Sequence, residues 1–105
     1  SDPEEYDEKA ILKRWKDKSV NKLIINFINR LEEITSWSQM EIDQALRDTS
    51  QDMAVSAAKL IHPVRLAVSG RSYGPGLFEL IELLGKMTTL RRLRKALDIF
   101  PLKDD

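Results

Sequence analysis

The chain has 105 residues, 17 Lys+Arg against 17 Asp+Glu, one His, no Cys and a formal net charge of zero. That length bounds it to one domain, 1–105, and 42% hydrophobic with 32% charged residues is a globular composition with a heavily charged surface. Lack of Cys excludes a disulfide framework, a thiolate zinc site and a thiol redox motif; no apolar run is long enough to span a membrane; the acidic, Met-less start Ser1-Asp2-Pro3-Glu4-Glu5-Tyr6 suits neither a secretory nor a transit signal.

That start reads as the end of a piece cut from a longer protein, with a monomer in the cytoplasm as the default setting. From there the periodicity is helical almost throughout. Asp7 to about Asp17 is a first short helix with Ala10, Ile11 and Trp15 on one face. Ser19 is the expected cap of a second helix reaching Ile34, whose Val20, Leu23, Ile24, Phe27, Ile28 and Leu31 follow the i, i+3, i+4, i+7 spacing. Ser38-Gln39-Met40-Glu41 is a capping box, and Trp37 and Ile42 flank it as a hydrophobic staple; the third helix it opens should end between Asp48 and Asp52. A fourth helix is expected from Met53 or Ala54 to Ser69, kinked by Pro63 and ended by Gly70 as a left-handed cap. Arg71-Ser72-Tyr73-Gly74-Pro75-Gly76 is a turn. A fifth helix covers Leu77 to Leu84 and stops at Gly85, and a sixth opens at Thr88 or Thr89 and ends before Pro101. Six helices and no persuasive strand predict an all-α bundle.

Charge is segregated along the chain. Residues 1–58 hold 8 Lys/Arg and 12 Asp/Glu, a net of −4, whereas residues 59–95 hold 8 Lys/Arg and only Glu79 and Glu82, a net of +6. A basic stretch of this kind suits a nucleic acid or an acidic protein surface, the alternative being ordinary unevenness of helix charge. Arg91, Arg94 and Lys95 share one face of the sixth helix while Leu90, Leu93 and Leu97 turn inward, a basic face or simply the wet side of an amphipathic helix. Arg65 sits in a largely apolar helix just ahead of the turn. Its planar fork suits base edges and phosphates, with a carboxylate inside the protein as the competing partner. Tyr73 and Phe78 are placed to stack on splayed bases, although Leu77 and Phe78 also suit plain core packing.

Catalytic chemistry is missing from the residues. His62 has no second His or Cys to share a metal, the 70–76 turn lacks the Lys-hydroxyl pair of a nucleotide-binding loop, and no nucleophile, base and orienting group can be assembled. The chain by itself reads as a binding domain.

His62-Pro63-Val64-Arg65-Leu66-Ala67-Val68-Ser69-Gly70, Gly74-Pro75-Gly76-Leu77-Phe78-Glu79, Leu83-Leu84-Gly85-Lys86 and Leu90-Arg91-Arg92-Leu93 together resemble the C-terminal anticodon-binding region of bacterial glutamyl-tRNA synthetases, and Tyr6-Asp7-Glu8-Lys9 resembles the family's approach to its first helix. The resemblance implies an all-α domain attached to a class I catalytic body of the same chain, binding the anticodon loop of glutamate tRNA. ATP is then used by that absent body, with no cofactor in this domain. It further implies anticodon contacts from Arg65, Gly74, Leu77 and Phe78, with Arg47 at the spacing of another contacting arginine and Tyr73 against the bases. Arg71, Arg91, Arg94 and Lys95 are then expected at phosphates. The competing reading is a helical protein-interaction module that docks a basic face on an acidic partner.

Overall fold

The computed structural model describes Pro3 and residues 5–102; Ser1, Asp2 and Glu4, part of the expected cut end, lie outside the described residues. Six helices follow in order: α1 (Glu8–Arg14), α2 (Lys18–Glu33), α3 (Gln39–Asp52), α4 (Ala57–Ser69), α5 (Leu77–Leu84) and α6 (Lys86–Ile99), with no strand among the described residues. The all-α expectation holds, and the differences lie at helix ends.

α1 stops three residues early, at Arg14, because Trp15 leaves helical geometry to bury its ring, donating from Nε1 to Asn21 Oδ1 at 2.9 Å. Asn21 in turn donates to the Phe100 carbonyl at 3.0 Å, so one amide joins the α1–α2 corner to the end of α6. The cap of α2 is Asp17, not Ser19: its carboxylate accepts from the Ser19 amide at 2.8 Å and from the Ser19 hydroxyl, which holds its pKa below the usual carboxylate range. Ser38 does cap α3, accepting from the Glu41 amide at 3.3 Å. A further free amide at this end, that of Gln39, donates to the Glu82 carboxylate of α5 at 3.2 Å. Trp37 likewise reaches α5, through Nε1 to the Ile81 carbonyl at 3.2 Å.

α4 begins at Ala57, later than expected, because Met53 closes α3, Ala54 adopts a positive φ of 56° and Ser56 supplies the cap. Helical geometry then runs unbroken through Pro63 to a left-handed Gly70. α6 starts at Lys86 rather than Thr88 or Thr89: Gly85 closes α5 and opens α6 in one residue, and Thr89 is fully buried inside the helix.

α4 packs against all five other helices. Such a helix must be apolar on nearly every side, and between Ala57 and Ser69 the charged or imidazole side chains are Lys59, His62 and Arg65 alone. Their i, i+3, i+6 spacing puts them on one edge. Leu60, Val64, Leu66, Ala67 and Val68 are wholly buried, meeting Phe27 and Leu31 of α2, Ile42 and Leu46 of α3, Ile81 of α5 and Leu93 of α6 in one core. The central helix thus carries a single polar edge on a rigid support.

Candidate nucleic-acid interface

The C-terminal end of α4 is fastened before the turn begins. Gly70, at φ 78°, accepts from the Asp7 amide at 2.9 Å, and a Cβ there would lie 2.5 Å from the Glu5 carbonyl oxygen. Only glycine fits both the backbone and the space. The Ser69 hydroxyl donates to the Arg65 carbonyl at 2.7 Å and accepts from the Arg71 amide at 3.1 Å, which bends the chain out of the helix. Arg92 of α6 braces the same end, its Nη1 donating to the Val68 carbonyl at 2.6 Å while the residue is 92% buried (8% exposed).

From this base residues 71–76 project into solvent. Arg65 reaches across and donates from Nη1 to the Pro75 carbonyl at 2.7 Å. Gly74 sits directly beneath, where a Cβ would lie 3.3 Å from that nitrogen. The competing carboxylate partner for Arg65 is absent among the described residues. Its partner is the turn itself, so one nitrogen of the guanidinium shapes the loop while its other donors hold no partner among the described residues. Tyr73 is 65% exposed, its hydroxyl accepting from Arg71 Nη1 at 3.0 Å, and the Arg71 guanidinium carbon lies 5.9 Å from the ring centroid. Two side chains therefore stand together as a flat, cationic-edged plate. Gly76 opens α5 without a side-chain cap, leaving that end of the turn with unclaimed amides.

Arg65, Arg71, Tyr73 and Gly74 are thus assembled in one place. Phe78 is half-buried beside them and keeps an exposed edge, but Leu77 is 4% exposed and belongs to the core. At the first position of α5 Leu77 takes the core-packing reading and anchors the turn from within. Arg47 lies on another helix, α3, where its Nε donates to Asp43 Oδ1 at 2.6 Å.

On α6, Arg91, Arg94 and Lys95 do share an exposed face, over a shallow hollow with Met87 and Asp98. Arg94 is paired with Glu32 of α2 at 2.8 Å. Lys86, counted in the same basic stretch, donates to the Glu32 and Ile34 carbonyls at 2.8 and 2.7 Å and so closes the C-terminus of α2. The basic stretch is therefore not one face. What was missed is the bracing role of Ser69, Arg92 and the Pro75 carbonyl, for which the i, i+4 spacing of Arg65 and Ser69 was the one visible sign. His62, on the same edge as Arg65, has its pKa lowered by burial and by the positive fields of Arg14, Arg65 and Lys13, which keeps it neutral at pH 7. No cluster among the described residues has the donors to hold a metal ion.

Residues 1–97 match the family described as anticodon binding domain. Among curated relatives, the chain is 44% identical over 98 residues to a glutamate–tRNA ligase of Chlorobium phaeobacteroides and 40% identical over 97 residues to one of Chlorobium chlorochromatii, covering 93% and 92% of this chain. It spans 19% of the length of each. Among solved structures, a glutamate tRNA ligase from Elizabethkingia meningosepticum in complex with its amino acid superposes with a TM-score of 0.89 at 25% identity, over 96% of this chain and 20% of that one.

Proposed function

The chain belongs to the anticodon-binding domain family, and from that premise we propose that it grips the anticodon loop of glutamate tRNA as the C-terminal part of a cytoplasmic, monomeric glutamate–tRNA ligase. The observation that carries this reading is the exposed 71–76 turn, held from beneath by Arg65 and presenting Tyr73 beside Arg71. A single-stranded loop is read by splaying its bases onto planar side chains and bonding their edges. Tyr73 and the exposed edge of Phe78 supply planes, and the remaining donors of Arg65 supply the edge contact. Arg71 serves both a phosphate and the tyrosine. Arg47 adds a second arginine from α3 by releasing Asp43. The α6 cations contribute charge.

No bond is made or broken by these residues. The catalytic body of the longer enzyme uses ATP and glutamate, and the grip on the anticodon helps to place the acceptor end there. The test is a gel shift of the chain with a glutamate tRNA transcript and with the same transcript carrying an altered anticodon. Preference for the native anticodon is expected. Equal retardation of both, or none, sinks the reading and leaves the basic face to an acidic protein.

A further inference from the structure

A second concentration of positive charge lies beyond Arg65 toward the start of α4, and four of its five cations come from the part of the sequence whose net charge is negative. A cleft of about 530 Å³ opens between the α1–α2 corner and the first half of α4. Lys13, Arg14, Lys16, Lys22 and Lys59 line it, and the one carboxylate there is Asp17. That carboxylate is already engaged in capping α2. Among the described residues, none of the five cations is held in a hydrogen bond or an ion pair. Five cations against one carboxylate, which itself lies in the fields of Lys59 and Lys16, leave the concavity an excess of positive charge that suits an anion. His62 also lines the cleft, its pKa lowered first by burial and then by the charges of Arg14, Arg65 and Lys13.

The shape of the cleft narrows what the anion is. Val20, Leu23 and Val55 give it an aliphatic lining, and no Phe, Tyr or Trp lines it. The planes it offers a base are the His62 ring and the Arg14 guanidinium, whereas a ribose–phosphate strand finds five cations for its phosphates and an apolar surface for its sugars. Lys59, His62 and Arg65 stand at i, i+3 and i+6 on the polar edge of α4, so the cleft is continuous with the braced turn. We infer that this cleft is a backbone track for the RNA strand that leaves the anticodon loop, its phosphates neutralised by the cations of α1, α2 and Lys59. The inference rests on the anticodon reading above and extends it to residues outside the turn.

The track is tested by salt titration of the chain against the glutamate tRNA transcript and its altered-anticodon copy, for the wild type and for the triple variant Lys16→Gln/Lys22→Gln/Lys59→Gln. Each lost contact with a single strand makes the log–log slope shallower by about 0.7, so the triple variant should lose about two units of slope while its anticodon preference stays at the wild-type ratio. Lys59→Glu repeats the test with one substitution that suits the fold, because residue 59 donates its amide to the Ser56 cap at the position where glutamate completes a capping box. It should weaken both transcripts alike, by tenfold or more at low salt. A wild-type preference for the native anticodon combined with an unchanged slope in the triple variant overturns the track alone. A wild-type chain blind to the anticodon overturns the anticodon reading, and the track as its continuation, whatever the variants do.

Discussion

The basic residues that follow Lys59 in the 59–95 stretch and those that line the cleft at the α1–α2 corner have different fates. In the former, where the chain is net positive, Arg65 holds the Pro75 carbonyl, Arg71 the Tyr73 hydroxyl, Lys86 the end of α2, Arg92 the end of α4 and Arg94 the Glu32 carboxylate. In the latter, where the chain is net negative, Lys13, Arg14, Lys16 and Lys22 converge with Lys59 and hold no hydrogen bond or ion pair among the described residues. A cation's neighbours in space decide whether it is a strut or a free charge, and those neighbours come from other helices. Burial too differs within one element: Arg92 is buried while Lys95, three residues on along α6, is exposed.

The largest effect should come from that buried strut. Arg92→Ala strips a charged donor from the Val68 carbonyl in the interior and should destabilise the fold by roughly 2–3 kcal/mol, against a change within about 0.5 kcal/mol for Lys95→Ala on the same helix. Urea denaturation compares the two, and equal losses would break the contrast between strut and free charge. Next comes Arg65, which is both. Lysine keeps the charge but cannot hold Pro75 and offer parallel donors to a base, so Arg65→Lys should cost about 1–3 kcal/mol of discrimination between native and altered anticodons. If affinity for the two transcripts falls by the same factor, Arg65 meets a phosphate instead.

Smaller again is the Ser38 cap. Ser38→Ala should lower stability by about 1 kcal/mol, read from the shift in denaturation midpoint. An unshifted midpoint would mean that Glu82 alone secures the start of α3. The smallest effect concerns His62 at the lip of the cleft. Its native pKa lies below the ordinary 6.5, so the unfolded chain takes up a proton more readily. The corresponding stability is complete above pH 6.5 and is lost as pH falls through the lowered native value. His62→Gln should flatten that part of the stability profile, and a profile that keeps its slope would assign it to other groups.

Much of the fold was legible because its signals are local. Apolar spacing, the Ser38 cap, the Gly70 stop and the Gly-Pro-Gly turn are each decided within a few residues. They predicted six helices and the turn that carries Tyr73. Helix ends were less legible, since Asp17, Ser19, Ser56, Thr88 and Thr89 all offer local caps and tertiary burial selects among them. Burial of Thr89 and the positive φ of Ala54 settle the starts of α6 and α4.

The sequence by itself determined the all-α architecture, the exposed glycine-rich turn and the polar edge of α4, because helical periodicity and turn chemistry act over short range. Only the tertiary structure decided that Leu77 is an anchor, that Arg65 braces the turn, that Arg92 is interior and that the α1–α2 cations meet Lys59. Those outcomes depend on which side chains are brought together from distant parts of the chain, and electrostatic and hydrogen-bond energies follow distance in space.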